Sequence, residues 1–389
     1  MGELKKPCEI LEVQNFLVLE KVEIDFSRVT VLIGPQASGK SIIAKLQYFC
    51  RSYIVDLFYE HASSGSDLRR FNKEKSNEFY KLFPGAEGEK GGARINFRVS
   101  DYEITITKAV KSRALKFQMS PSLRKAFQKL KRSYEKFSDE RRDESTKYLD
   151  VSIFSFMRAD KEVNEVFDNL PISLIVPATR AFFAHVQRNV FTFLSESDSL
   201  DPLLVQFGRF YEYAKDRHFR IEKDDPDLGL VDHSTVLRGK FTRRGDEDFI
   251  QTKWGGVPLK NSSSGQQEAL PLFLALEAFP SRRRPNETLI IEEPEAHLFP
   301  RAQKEVIERI VAVSFAVDCD MTITTHSPYI VSCLNNEIVR RKGELVVSAY
   351  MVEDGRAVSI FDKELNMIDP DGVDGVSEDI ANEFVEATN

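Results

Sequence analysis

Four short stretches of the chain carry residue types and spacings suited to phosphate chemistry. The first is Gly34-Pro35-Gln36-Ala37-Ser38-Gly39-Lys40-Ser41, entered from the β-branched run Val29 to Ile33 and left through the apolar pattern Ile42 to Leu46. A strand, a glycine-bounded loop and a helix start, in that order, aim backbone N–H groups and the positive end of a helix dipole at one anion. Lys40 adds a point charge suited to β/γ-phosphates, and the Ser41 hydroxyl is a ligand for Mg²⁺. The second stretch, Thr288-Leu-Ile-Ile-Glu292-Glu293-Pro-Glu295, is an apolar strand ending in carboxylates. Adjacent acids at such a place are costly unless they work or are paired, and beside a phosphate loop they suit a metal ligand and a general base. The third is a strand ending at His326, whose imidazole suits a γ-phosphate or an attacking water. The fourth, Ser262-Ser263-Ser264-Gly265-Gln266, opens an apolar helical run from Ala269 to Phe279. Hydroxyls and N–H groups at a helix start make a second anion site without a lysine of its own, so its phosphate has to be brought to it. Taken alone, the same cluster reads as a helix cap.

The elements that position these groups follow from periodicity. Glu9 to Leu19, Val22 to Phe26 and Val29 to Ile33 read as strands feeding the loop, and the helix after it runs to about Tyr59 with Leu46, Tyr48, Phe49 and Tyr53 as a core stripe. His61 to Gly92 reads as a polar, glycine-punctuated connection, and 93–99 with 102–107 as a hairpin across Ser100-Asp101. From Ser120 to Asp150 the pattern is charged and helical, with Leu123, Phe127, Leu130, Tyr134 and Phe137 at helical spacing and a basic run, Arg124 to Arg132, on a solvated face. Ser173 to Val176 is a strand broken at Pro177 and followed by Arg180, read either as a phosphate sensor or subunit contact or as a surface arginine. Residues 181–220 read as mainly helical and Asp224 to Asp232 as an acidic loop. Val236 to Phe241 and Phe249 to Trp254 form a second hairpin, and Val346 to Arg356 a closing one. Asp369 onward reads as a turn and a final acidic helix, its acids better explained by turn chemistry than by a metal.

A chain of 389 residues, 42% hydrophobic, can bury a large core in one elaborate domain or two joined ones. With 54 basic and 61 acidic residues and a net charge of −7 there is no global basic footprint, so any contact with nucleic acid is local. Cys8, Cys50, Cys319 and Cys333 have no metal-ligand spacing and are expected as reduced thiols, without disulfide or zinc. The absence of a secretory-type apolar segment or an uncharged 18-residue apolar run leads to the expectation of a cytoplasmic chain with no membrane partner.

Together, Gly34 to Ser41 as Walker A, Ser263-Ser264-Gly265-Gln266 as a signature, Leu289 to Glu293 as Walker B, Ala296 to Pro300 as a D-loop and Thr324 to Pro328 as a histidine switch resemble an ABC-type ATPase head. The phrases Glu292 to Pro300 and Thr324 to Pro328 are similar to AAA/ABC-like ATPases of the OLD and SMC-related group, including ATPase subunits of the PARIS, Septu and retron-associated anti-phage systems. The resemblance implies an α/β P-loop NTPase fold, a mixed N-terminal sheet joined to a parallel core sheet. It divides the chain into an N-terminal lobe (1–109), an inserted helical arm (110–170) and a C-terminal lobe (171–389). It implies ATP and Mg²⁺ as cofactors, with Gly34 to Ser41 on the triphosphate, Ser41 and Glu292 on the metal, and Lys40, Glu293 and His326 as catalytic groups. Ser263 to Gln266 then cap a nucleotide held by a second copy in a head-to-head homodimer, from which a larger ring can be built. Two departures stand out: Glu292 occupies the usual place of an aspartate, and no glutamine is assigned to a Q-loop. The implied role is an ATPase sensor or scaffold governing a separate effector of the nuclease class in anti-phage defence. The alternatives are a DNA-repair ATPase that clamps DNA, with nucleic acid as partner, and the nucleotide-binding subunit of a transporter. OLD proteins carry a Toprim nuclease after the ATPase; only about 60 residues follow His326 here, short of the ~100 a separate catalytic fold favours, so no nuclease is expected in these residues.

Overall fold

The Val29 to Ile33 run forms the strand expected of it, β3 (Val29–Ile33), with every residue buried. In the computed structural model, which describes residues 9–61, 67–88, 91–143, 166–185, 200–224, 233–245, 247–279 and 286–369, β3 lies within an 11-stranded sheet. Its parallel part runs β13 (Val347–Glu353), β3, β12 (Asp320–Thr325), β11 (Glu287–Glu292) and β7 (Ile172–Val176). Its antiparallel part runs β2 (Leu19–Phe26), β1 (Glu9–Phe16), β4 (Ala93–Val99), β5 (Tyr102–Lys108) and β6 (Leu115–Met119). The closing hairpin joins the two parts: β14 (Arg356–Ser359) folds back on β13 and meets β2 at Arg356 and Lys21. The fold is thus an α/β P-loop NTPase fold in which one mixed sheet carries both the N-terminal and the core strands.

Two hydrophobic cores lie on the two faces of this sheet because strand side chains alternate. On β3, Val29, Val31 and Ile33 enter one core and Leu32 the other; on β11, Leu289 and Ile291 oppose Ile290 in the same way. The Leu32 side is covered by α1 (Lys40–Asp56) and α2 (Leu68–Leu82), and includes Leu46, Tyr48, Phe49 and Tyr53 of the expected aromatic stripe. Each such side chain, fully withdrawn from water, contributes about 1.5–3 kcal/mol. The other side is covered by α7 (Ser264–Ala278), α8 (Pro300–Val317) and α9 (Pro328–Arg340).

Part of the expected connection between His61 and Gly92 is instead helix α2. Asp67 caps it by accepting from the Arg69 N–H at 3.2 Å, and Phe71, Lys75, Phe79 and Leu82 form its buried face. Helix α3 (Pro121–Asp143) buries Leu123, Phe127 and Leu130 against the same core while Arg124, Lys125 and Arg132 are exposed. The outer part of the expected arm, 144–165, lies outside the described residues, as do most of the acidic loop and the C-terminal turn and helix. Helices α4 (Phe182–His185) and α5 (Pro202–Asp224) follow β7. Val236 and Leu237 belong to the short helix α6 (Ser234–Leu237) rather than to a strand, and β8 (Lys240–Arg244), β9 (Glu247–Thr252) and β10 (Gly255–Pro258) form a separate antiparallel sheet.

Candidate functional site

Strand register sets the site. In the parallel core Ile33 pairs with Thr325, and Thr324 with Glu292. The loop starting at Gly34, the residue His326 and the acids after Ile291 therefore leave the sheet side by side at its C-terminal edge, where ligands of open α/β sheets bind.

The loop is held by contacts that only glycine permits. Gly34 has φ 152°, and a Cβ there would stand 2.2 Å from the Val352 carbonyl oxygen of β13; Gly39 has φ 107°, and its Cβ would stand 2.5 Å from Leu19. Pro35, Gln36 and Ala37 are exposed and Ser38 half-buried. Lys40 is the first residue of α1 and is buried; its Nζ donates to the Gly34 and Pro35 carbonyls at 2.9 and 2.6 Å, and to Ser38 Oγ at 3.4 Å. Burial lowers the Lys40 pKa, while the Glu293 and Glu295 carboxylates act to raise it. A cation curled onto its own loop and faced by two acids is ready to exchange those carbonyls for phosphate oxygens.

Glu292 ends β11 and is buried; burial pushes its carboxyl pKa up, against the opposing effects of the Ser41 hydroxyl and Lys45. Its Oε1 has no hydrogen-bond partner. A buried, unpartnered carboxylate oxygen beside a hydroxyl is a donor set of hard oxygens, suited to a divalent cation. Glu293 follows with φ 44°, its N–H donating to the Thr324 carbonyl at 2.9 Å, and its Oε1 lies 3.5 Å from His326 Nε2. For a non-glycine residue that backbone conformation costs about 1–3 kcal/mol, and such residues cluster at working sites. Lys40, Ser41, Glu292, Glu293 and His326 thus stand together, a set able to hold a triphosphate and activate water beside it.

Ser263, Ser264, Gly265 and Gln266 stand elsewhere. Ser263 is the N-cap of α7 in a capping box: its hydroxyl accepts from the Gln266 N–H at 3.4 Å and Gln266 Oε1 accepts from the Ser263 N–H at 3.0 Å. The four residues line an open cleft of about 1070 Å³ with His297, Phe299 and Trp254, and no residue of the Gly34 to Ser41 loop lines it. Trp254 and Phe299 are 83% and 78% exposed there, an apolar rim beside the serines.

Both readings of Arg180 are corrected. Its side chain is fully buried, so it is neither a surface arginine nor exposed to a phosphate or a second subunit. The guanidinium donates to the carbonyls of Pro177 (2.9 Å), Glu292 (2.7 Å), Glu293 (3.0 Å) and Glu268 (2.9 Å). Burial lowers its pKa, with Glu268 the chief group acting to raise it. Glu295 was legible only as a third acid in its phrase; its Oε1 accepts from the Thr325 hydroxyl at 2.6 Å and from the His326 N–H at 2.8 Å, fixing the turn that presents the imidazole. A carboxylate just past a strand-ending proline, facing a neighbouring strand end, was the available signal.

Among solved structures, the chain is similar to an Smc head bound to the C-winged helix domain of ScpA, at 15% identity over 92% of this chain and 98% of that one, with a TM-score of 0.44. It is also similar to the SMC head domain from Thermotoga maritima, at 13% identity over 91% of this chain and 98% of that one, with a TM-score of 0.38. No curated protein matches the chain. A family model described as AAA ATPase domain matches residues 9–331, and with its phosphate loop, paired acids and histidine at one sheet edge the chain belongs to that family and is an ATPase.

Proposed function

We propose that the chain hydrolyses Mg·ATP at the edge formed by Lys40, Ser41, Glu292, Glu293 and His326, and does so between two copies joined head to head. The observation that carries this reading is the register of β3, β12 and β11, which delivers a cation, two acids and an imidazole to one place. The loop N–H groups and Lys40 bind the phosphate chain and offset its charge. Ser41 and Glu292 hold the divalent cation, which supplies further charge neutralisation on the phosphates when bound. Glu293 accepts the proton of the attacking water, and His326 orients the Glu293 carboxylate and the water. Ser263 to Gln266 act on the nucleotide of the second copy, because they open into a cleft without a phosphate-loop lysine.

Glu293→Gln is the test. Turnover falls by at least ~100-fold, within the range of general-base losses, while ATP binding is kept; wild-type turnover by this variant overturns the assignment. The finer role, an ATP-gated sensor or scaffold that governs a separate effector in anti-phage defence, is supported by the Glu292 to Pro300 and Thr324 to Pro328 phrases. Co-purification of a nuclease released by ATP turnover is its expected outcome. A DNA-clamping ATPase is the second reading, favoured by the exposed Arg124, Lys125 and Arg132 on α3; ATP-stimulated duplex binding that weakens steeply with salt decides for it. No helix among the described residues is long and apolar enough to cross a membrane.

A further inference from the structure

Among the described residues, two arginines are fully buried. Arg51 pairs with Glu9 and donates to the Ile172 and Asn286 carbonyls, joining α1 to the far end of the strands. Arg180 has a different set of partners. Two of its acceptors are the carbonyls of Glu292 and Glu293, at 2.7 and 3.0 Å, so one guanidinium grips the peptide groups on both sides of the Glu293 α-carbon. That residue is the one held at φ 44°. Its conformation is over-determined from two sides, by Arg180 and by the Thr324 carbonyl that its N–H meets.

The other end of the same network is helix α7. Arg180 Nε donates to the Glu268 carbonyl at 2.9 Å, and the Glu268 carboxylate accepts from the Arg180 and Ala181 N–H groups at 3.1 and 3.0 Å, with an ion pair at 3.3 Å to Nε. Glu268 follows Ser263 by five residues on one rigid element whose first turn faces the exposed cleft. Pro271 lies within that helix and has no N–H to return to the Gln267 carbonyl. The serine turn keeps its bond, the Gln267 N–H donating to the Ser263 carbonyl at 3.0 Å, and the ladder lacks a bond only in the following turn, which carries Glu268, the residue that Arg180 holds.

We infer that Arg180 is a positioning residue: it fixes the Glu293 backbone in its left-handed conformation and, through Glu268, ties that backbone to the helix capped by Ser263, so that a shift of α7 re-aims the Glu293 carboxylate. A nucleotide-bearing partner docking on Ser263 is then sensed at the general base of the same chain. This rests on the roles proposed above for Glu293 and Ser263.

The test compares the full chain with Arg180→Lys, Glu268→Gln, Ser263→Ala and Glu293→Gln in ATP turnover, binding of a non-hydrolysable ATP analogue and thermal unfolding. Arg180→Lys keeps the charge and loses the fork; Glu268→Gln keeps the shape and carries the test alone if the lysine variant does not fold. Both lower kcat by about 10- to 100-fold, the cost of a misplaced reacting group, with KM and analogue binding within about 3-fold of wild type. The kcat losses of Glu268→Gln and Ser263→Ala are non-additive in a double-mutant cycle, since both act through α7. A lowered unfolding temperature with kcat of the folded protein unchanged overturns the inference, as do strictly additive losses. Wild-type turnover by Glu293→Gln instead overturns the proposed site itself.

Discussion

The two regions of the molecule suited to phosphate are built on opposite plans. At the Lys40 end charges are withdrawn from water: Lys40 is buried with its Nζ turned onto its own loop carbonyls, and Glu292 is buried with Oε1 lacking any hydrogen-bond partner. At the Ser263 end the two serines are exposed and Ser263 is already engaged in a capping box with Gln266, with two exposed aromatic side chains beside them. Buried charge is tolerated where a ligand compensates it, whereas a satisfied, exposed helix start has nothing to gain until another surface arrives. The contrast teaches that one end is organised to hold a ligand within the chain and the other to meet one presented from outside.

The largest effect expected from this contrast is on ATP affinity. Lys40→Ala weakens binding by at least ~100-fold, since losing a desolvated charge partner costs about 2–5 kcal/mol, whereas Ser263→Asp leaves binding to the isolated chain within about 2-fold. Asp caps a helix about as well as Ser, so the aspartate variant unfolds within about 1 °C of wild type. It nonetheless loses roughly 10-fold or more in turnover, because a carboxylate then faces an incoming phosphate. Calorimetric titration and steady-state turnover measure the two quantities; equal loss of binding in both variants breaks the comparison.

Mixing sharpens it. A Lys40→Ala chain keeps a sound Ser263 end, and a Ser263→Asp chain keeps a sound Lys40 end, so a mixed pair has one composite site intact. An equimolar mixture recovers about a quarter of wild-type turnover if chains pair at random through one isologous interface. No recovery, at concentrations where mass measurement shows pairing, places the Ser263 end outside the reaction.

How much of this was legible in the sequence follows the same divide. The Lys40 end was legible because phosphate binding by backbone N–H groups needs contiguous residues, and a strand entering Gly34 and a helix leaving Ser41 are local patterns. Helix α2 was hidden because its buried face includes Lys75, a residue that ordinarily marks a solvated position. Lys75 is tolerated there through ion pairs with Asp56 and Glu78, the first of which comes from another element. Arg180 was misread because most of its partners are main-chain carbonyls, which leave no trace in residue type, and the carboxylate paired with its side chain, Glu268, lies 88 residues away. The place of the closing hairpin, between β2 and β3, was equally out of reach: a parallel pairing of residues some 300 positions apart depends on what both faces of the sheet bury, not on the hairpin's own pattern.

The smallest effect concerns stability, and it has a sign that separates a functional acid from a structural one. Glu292 is buried with one oxygen unpartnered, and burial favours its neutral form; at neutral pH the carboxylate therefore opposes folding. Glu292→Gln keeps the shape and removes the charge, and the unmet demand of a charged group weighs more than that of an amide. The metal-free variant is expected to unfold about 1–2 °C above wild type, the shift that about 1 kcal/mol or slightly more produces in a chain of 389 residues. Added Mg²⁺ with nucleotide then raises the wild-type midpoint and closes or reverses the gap, because a ligand stabilises only the state that binds it. Thermal scans with and without Mg·ATP read both shifts. A variant less stable than wild type in the absence of metal identifies Glu292 as a structural partner of Ser41 and Lys45, and removes it from the metal site.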